Sequence, residues 1–262
     1  MRRSISAFTF FCSVLAFTAC QRSDDVIAHP PSRVDVAEIQ VIRAKTVPIA
    51  LPQVEICEQV GCTRYHFQTI QSNVPWINEY FLERIQKMEP IAFEKYEGPK
   101  LDRDSLAALG LSQSSAYVRY VGQNGALATF ILHSYSYSSG AEHGLYHDEY
   151  VNLDLNEKRR VGLQDILIDG KARAFADAVY AHNRAWLTAR HIATENFPLS
   201  DNFYFSHKGL VSVYALYELT GYAEGMPELV LPYQELHKFI KKEYLPPLPQ
   251  YTQAETQQST GE

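Results

Sequence analysis

Ser115-Ala-Tyr-Val-Arg-Tyr-Val121, Gly122-Gln-Asn-Gly125 and Ala126-Leu-Ala-Thr-Phe-Ile-Leu-His-Ser-Tyr-Ser-Tyr137 form the stretch that decides the fold. β-Branched and aromatic residues fill both arms, and the four residues between them carry turn chemistry. The stretch therefore reads as an antiparallel hairpin. Further strands follow from the same patterning at 39–51 (one or two), 65–71, 145–155, 202–206, 210–219 and 229–231, with a return near Val161. Ser72-Asn73-Val74-Pro75 is a helix start, and Ile77, Tyr80, Phe81, Ile85 and Met88 recur at helical spacing up to Glu89-Pro90. A weaker helix is expected at 102–109 and a long one at 171–194, burying Phe175, Val179, His182, Trp186 and Leu187. A closing helix is expected from Pro232 to Glu243. Strands and helices are mixed rather than alternating. The class is α+β, with a mixed, mostly antiparallel sheet and two or three packed helices.

The 262 residues are 46% hydrophobic and 21% charged, which excludes a wholly disordered chain. The 17 Tyr and 13 Phe favour strands and contact surfaces. A formal charge of -6, with no basic run longer than Lys158-Arg159-Arg160, argues against nucleic-acid binding.

Arg2-Arg3 followed by the apolar run from Ile5 to Phe17 reads as a secretory signal, too short to span a bilayer. It ends in Leu15-Ala-Phe-Thr-Ala-Cys20, which resembles a bacterial lipobox with Phe17 where Leu, Val or Ile is usual. The resemblance implies cleavage after residue 19 and lipid on Cys20, and Gln21 then points to the outer membrane. The expected product is an outer-membrane lipoprotein with its domain in the periplasm, held to the membrane by that lipid. Losing Arg2 and Arg3 leaves 22 basic against 30 acidic residues, a charge of -8. Residues 20–35 read as lipidated Cys and tether, and the Pro-, Gln- and Thr-rich 246–262 as a disordered tail.

In that oxidising compartment Cys57 and Cys62 are expected to form a local disulfide. The cluster Glu142, His143, His147 and Asp148 has zinc-like residue types. In a strand, however, His143 and His147 would stand roughly 13 Å apart, too far for one ion. No metal and no cofactor is expected. Ser134, Ser136 and Ser138 alternate with Tyr135 and Tyr137, which two-sided strand patterning explains better than a nucleophile does. Nucleophile-elbow, zinc-protease, phosphate-loop and dinucleotide motifs do not occur.

Two stretches resemble a known family. One is Ser139-Gly-Ala-Glu-His143, then Tyr146 to Leu155, then Leu163-Gln-Asp-Ile-Leu167. The other is Asn202-Phe-Tyr-Phe-Ser206, Gly209-Leu-Val211, Tyr222-Ala-Glu-Gly225 and Glu228 to Pro232. They resemble the DUF3298 domain of RsiV-like exported proteins, and the first half is similar to the companion DUF4163-like part. The resemblance implies a DUF4163-like part at 36–112 and a DUF3298-like part at 113–245. Neither a deacetylase domain nor a sigma-binding segment with its membrane helix accompanies them. Only the outer, binding half of the RsiV role, which is lysozyme binding, could be retained.

The expected function is therefore an envelope lipoprotein whose domain binds a protein or a cell-wall component, with basic lysozyme the sharpest candidate. The expected contact residues are Tyr135, Tyr137, Ser139, Glu142, His143 and Tyr146, a Tyr-, Ser- and Gly-rich mixture suited to binding. No catalytic residue is assigned. The alternatives are a metal- or histidine-assisted hydrolase of cell-wall polysaccharide, and a structural envelope lipoprotein with no soluble ligand.

Overall fold

The computed structural model describes residues 40–58, 61–98 and 110–246. Cys20, the signal, the tether, the 102–109 helix and nearly all of the tail lie outside them. The strands are β1 (Ala44–Pro48), β2 (Glu55–Glu58), β3 (Gly61–Ser72), β4 (Leu111–Asn124), β5 (Leu127–Tyr137), β6 (Leu145–Asp154), β7 (Arg159–Val161), β8 (Phe203–Ser206), β9 (Gly209–Val213) and β10 (Glu228–Pro232). The α-helices are α1 (Pro75–Met88), α2 (Leu163–Ile166), α3 (Ala172–His182), α4 (Arg184–Thr188) and α5 (Tyr233–Leu236). No helix among the described residues is long and apolar enough to cross a membrane.

The hairpin of β4 and β5 is the centre of a seven-stranded sheet in the order β1-β3-β4-β5-β6-β7, with β2 also on β3. All pairings are antiparallel except β3 with β4. That exception follows from the chain: α1 lies between β3 and β4, and a crossover helix brings the next strand back parallel. The hairpin turn falls later than the four-residue reading of Gly122–Gly125. A bulge between Tyr120 and Gly122 lets β4 run on to Asn124, and the chain reverses at Gly125, whose φ is +55°. The α+β class with a mostly antiparallel sheet holds, with five α-helices of which three are very short.

α1 starts where Pro75 predicts, ends at Met88, and buries Ile77, Phe81 and Ile85 at a spacing of four. Asn78 steadies its start by accepting from the Ser72 N–H at 2.7 Å and donating to the Ser72 carbonyl at 3.1 Å. Its inner face packs on one side of the sheet, where Phe81 meets Phe130 at 5.1 Å between ring centres. The half-buried Arg84 grips Glu149 of β6 with two bonds, 3.0 and 2.7 Å.

The C-terminal part makes a second core from α3, α4 and a three-stranded sheet, β10-β9-β8. The expected single helix at 171–194 is two helices. Asn183 breaks it by turning its side-chain amide onto the carbonyls of Val179 and Val230, at 2.8 and 3.0 Å. His182, expected inside, is exposed. The closing helix is only α5, followed by a 3-10 turn at Lys242–Tyr244. Gly209 is required in the β8–β9 hairpin, because a Cβ there would lie 2.1 Å from the Leu231 carbonyl oxygen.

Two asparagines join this second core to the free side of the large sheet. β7 pairs only with Asn152–Asp154, so earlier edge groups of β6 lack a strand partner. Asn202 supplies one: its Oδ1 accepts from the Tyr150 N–H and its Nδ2 donates to the Asp148 carbonyl, both at 2.7 Å. Asn152, 1% exposed, accepts from Thr129 at 2.8 Å and donates to the Phe203 carbonyl at 2.9 Å. Asn202→Ala is expected to lower unfolding stability by about 2 kcal/mol, because it removes two bonds and orphans half-buried backbone groups. Urea denaturation monitored by near-ultraviolet circular dichroism checks this.

Cys57 and Cys62 face each other across β2 and β3 and are joined by a disulfide, with Cα atoms 4.0 Å apart. The loop it closes is short, so reduction is expected to cost roughly 2 kcal/mol. The comparison is the urea midpoint of the oxidised protein against that of Cys57→Ser/Cys62→Ser.

Candidate functional site

The two packing layers cover only one end of the large sheet. In β5 the run Leu127 to Leu132 is wholly buried, but His133 to Tyr137 is not. Beyond that boundary both faces of β4, β5 and β6 emerge, and strand alternation gives them different chemistry. On the α1 side the register aligns Ser114 with Ser136, and Ser134 with His147. On the other side it aligns Tyr117 with His133, His133 with Asp148, and Tyr135 with Tyr146.

The aromatic side forms a row. Tyr117 stacks on His133 at 4.7 Å, and His133 lies 6.4 Å from the near-parallel ring of Tyr146. Tyr146 meets Tyr222 edge-on at 6.5 Å, and Tyr222 lies 6.0 Å from Tyr217. The Nδ1 of His133 is 2.5 Å from Asp148 Oδ1, which fixes the imidazole between its neighbours. The ends of the row are its most open members: Tyr117 is 37% exposed and Tyr217 is 55% exposed.

The β5–β6 connection is held to this row by His143. Its ring stacks on Tyr222 with centres 3.7 Å apart. Nδ1 is 3.2 Å from the Gly144 carbonyl, and Nε2 is 3.2 Å from the Tyr217 hydroxyl. A carbonyl only accepts, so Nδ1 donates to Gly144, and Nε2 and the Tyr217 hydroxyl share the second bond. Tyr222 also donates to the Gly144 carbonyl at 2.9 Å. Gly144 lies against the Tyr135 ring, which a Cβ would strike at 2.4 Å. The loop tip is thus locked to a segment more than seventy residues later in the chain.

Of the residues singled out in the sequence, Tyr135 and Tyr137 are on β5, Tyr146 is on β6, and Ser139, Glu142 and His143 are in the connection. His143 and Tyr146 join the row through Tyr222. Ser139 serves the turn, its N–H donating to Ser112 Oγ at 3.0 Å, and Glu142 is exposed beside it. The cluster Glu142, His143, His147 and Asp148 is not brought together. His147 faces the α1 side, Asp148 takes His133, and His143 takes Tyr217. Among the described residues, the one group of three potential metal ligands in reach of one another is Glu55, Cys57 and Cys62, and both sulfurs are committed to the disulfide.

Four members of the row are not among the contact residues expected from the sequence: Tyr117, His133, Tyr217 and Tyr222. Strand alternation could have linked Tyr117 and His133 once the hairpin register was known. Nothing local links Tyr217 to His143. Nearer the covered end, Tyr150 stacks on Tyr204 at 4.2 Å, and Tyr204 donates to Glu228 at 3.1 Å. Burial, and then the Glu228 carboxylate, push the Tyr204 hydroxyl well above the usual phenol range, so it stays a neutral donor.

Residues 164–234 match the family described as protein of unknown function, DUF3298. That segment runs from α2 through β10 into α5 and includes Tyr217 and Tyr222. No curated protein matches the chain. The fold is similar to the crystal structure of a DUF3298 family protein from Pseudomonas aeruginosa PAO1, with a TM-score of 0.57 and 21% identity over 80% of this chain and 99% of that one. It is also similar to a DUF3298 family member from Bacteroides fragilis NCTC 9343, with a TM-score of 0.53 and 16% identity over 78% of this chain and 95% of that one. The chain therefore carries a DUF3298 match at 164–234 within a fold shared with solved DUF3298 family proteins.

Proposed function

We propose that this protein is an envelope lipoprotein that binds a basic protein through the row from Tyr117 to Tyr217 and the β5–β6 tip. The single observation that carries the reading is that open row of rings, fixed by the His143–Tyr222 stack and the His133–Asp148 bond. Tyrosine rings held in place offer large contact area at low entropic cost. Asp148 and the exposed Glu142 and Glu218 lie along or beside the row, which suits cationic side chains laid over aromatic faces. The mature charge of -8 favours encounter with a basic partner.

Lysozyme is the partner we propose. The lipobox-like end of the signal, the RsiV-like resemblance and the DUF3298 match support this together. The protein would act as the outer, sensing half of such a system, tethered at the outer membrane through Cys20, with its DUF4163-like part at 36–112 as the support.

Calorimetry with hen egg-white lysozyme and the chain from residue 21, disulfide intact, tests the proposal at two salt concentrations. Binding at micromolar affinity or tighter that weakens with salt is expected. Tyr217→Ala and Tyr117→Ala should each weaken it at least tenfold, since anchors of this type dominate interface energy. Absence of heat at low salt would remove lysozyme as the partner.

A further inference from the structure

The α1 side of the same sheet end opens into a groove of about 340 Å³ beyond the last turn of α1. Its polar lining includes Glu89, Ser114, Ser134, Ser136 and His147, and two residues of the aromatic side, Tyr135 and Tyr146, also border it. Ser114, 8% exposed, donates to one Glu89 oxygen at 2.7 Å, which aims the carboxylate into the groove. The side chains of Ser134, Ser136 and His147 line the groove and can each donate and accept. Met88 and Leu145, 42% and 49% exposed, line it as well and supply apolar surface.

We propose that this groove binds a neutral saccharide of one or two pyranose rings. The volume is at the small end of ligand clefts, which limits the ligand to about that size. Three hydroxyls and an imidazole on neighbouring strands, with a carboxylate just past the end of α1, both donate and accept, as a polyol requires. No Lys or Arg lines the groove among the described residues, so nothing there complements a phosphate or carboxylate ligand. Met88 and Leu145 can cover the C–H faces of a sugar ring. The inference does not rest on lysozyme binding: the groove's hydroxyls, carboxylate and imidazole lie on the α1 side, and it shares only Tyr135 and Tyr146 with the contact residues expected for that partner.

The test is saturation-transfer NMR on the full-length protein, held in a detergent without a sugar headgroup. The probes are N,N′-diacetylchitobiose and cellobiose. Transfer to at least one of them is expected, and which one responds separates an amino-sugar from a glucose source. Glu89→Gln and His147→Ala should each weaken binding at least tenfold. Ser136→Trp, at an exposed position, should occlude the groove without touching the core. No transfer to either disaccharide at millimolar concentration would overturn the proposal. Transfer that survives Ser136→Trp in a folded protein would overturn it equally.

Discussion

The architecture depends on how β6 satisfies its outer edge. β7 is only three residues long, so the backbone at Asp148 and Tyr150 has no strand beside it. A half-buried N–H or carbonyl left without a partner costs about 1–3 kcal/mol. The carboxamide of Asn202 presents one acceptor and one donor at the spacing of a strand and closes both groups. Met226 sulfur meets the Asp148 N–H next to it at 3.2 Å. These contacts draw the second core against β6 and fix how far along the sheet it reaches.

That reach decides where the functional surface lies. α1, gripped by the Arg84–Glu149 pair, covers one face of the same sheet end that the C-terminal core covers on the other. The result is a sheet buried on both sides as far as Leu132 and only partly covered from His133 to Tyr137. A strand alternates its side chains with period two, so one run of Ser and Tyr yields two unlike surfaces. One is a row of rings and the other is a groove of hydroxyls.

Much of this is legible in the chain. The hairpin, the start and end of α1 and the antiparallel character follow from local patterning and turn residues. Reading the Ser134 to Tyr137 run as two-sided strand patterning agrees with its alternation in β5. The zinc-like cluster is dispersed for a reason that period two supplies: His147 and Asp148 are neighbours in sequence and therefore point apart. The sequence reading stopped short at Asn183, where a side-chain amide outcompetes helix continuation by reaching Val230 on another element. It also stopped short at Asn202, a strand-edge partner that reads as an ordinary residue at the start of a strand.

The chain alone determined the class of fold, the position of its central hairpin and the alternation that separates rings from hydroxyls. Those properties depend on neighbours one to four residues away, and local sterics and hydrophobic periodicity record them. Tertiary structure alone decided which rings meet. Tyr217 and Tyr222 reach His143 across more than seventy residues, because Asn202 and Asn152 dock their segment on β6. Contacts of that range are set by where two cores share one sheet, and no spacing in the sequence records it.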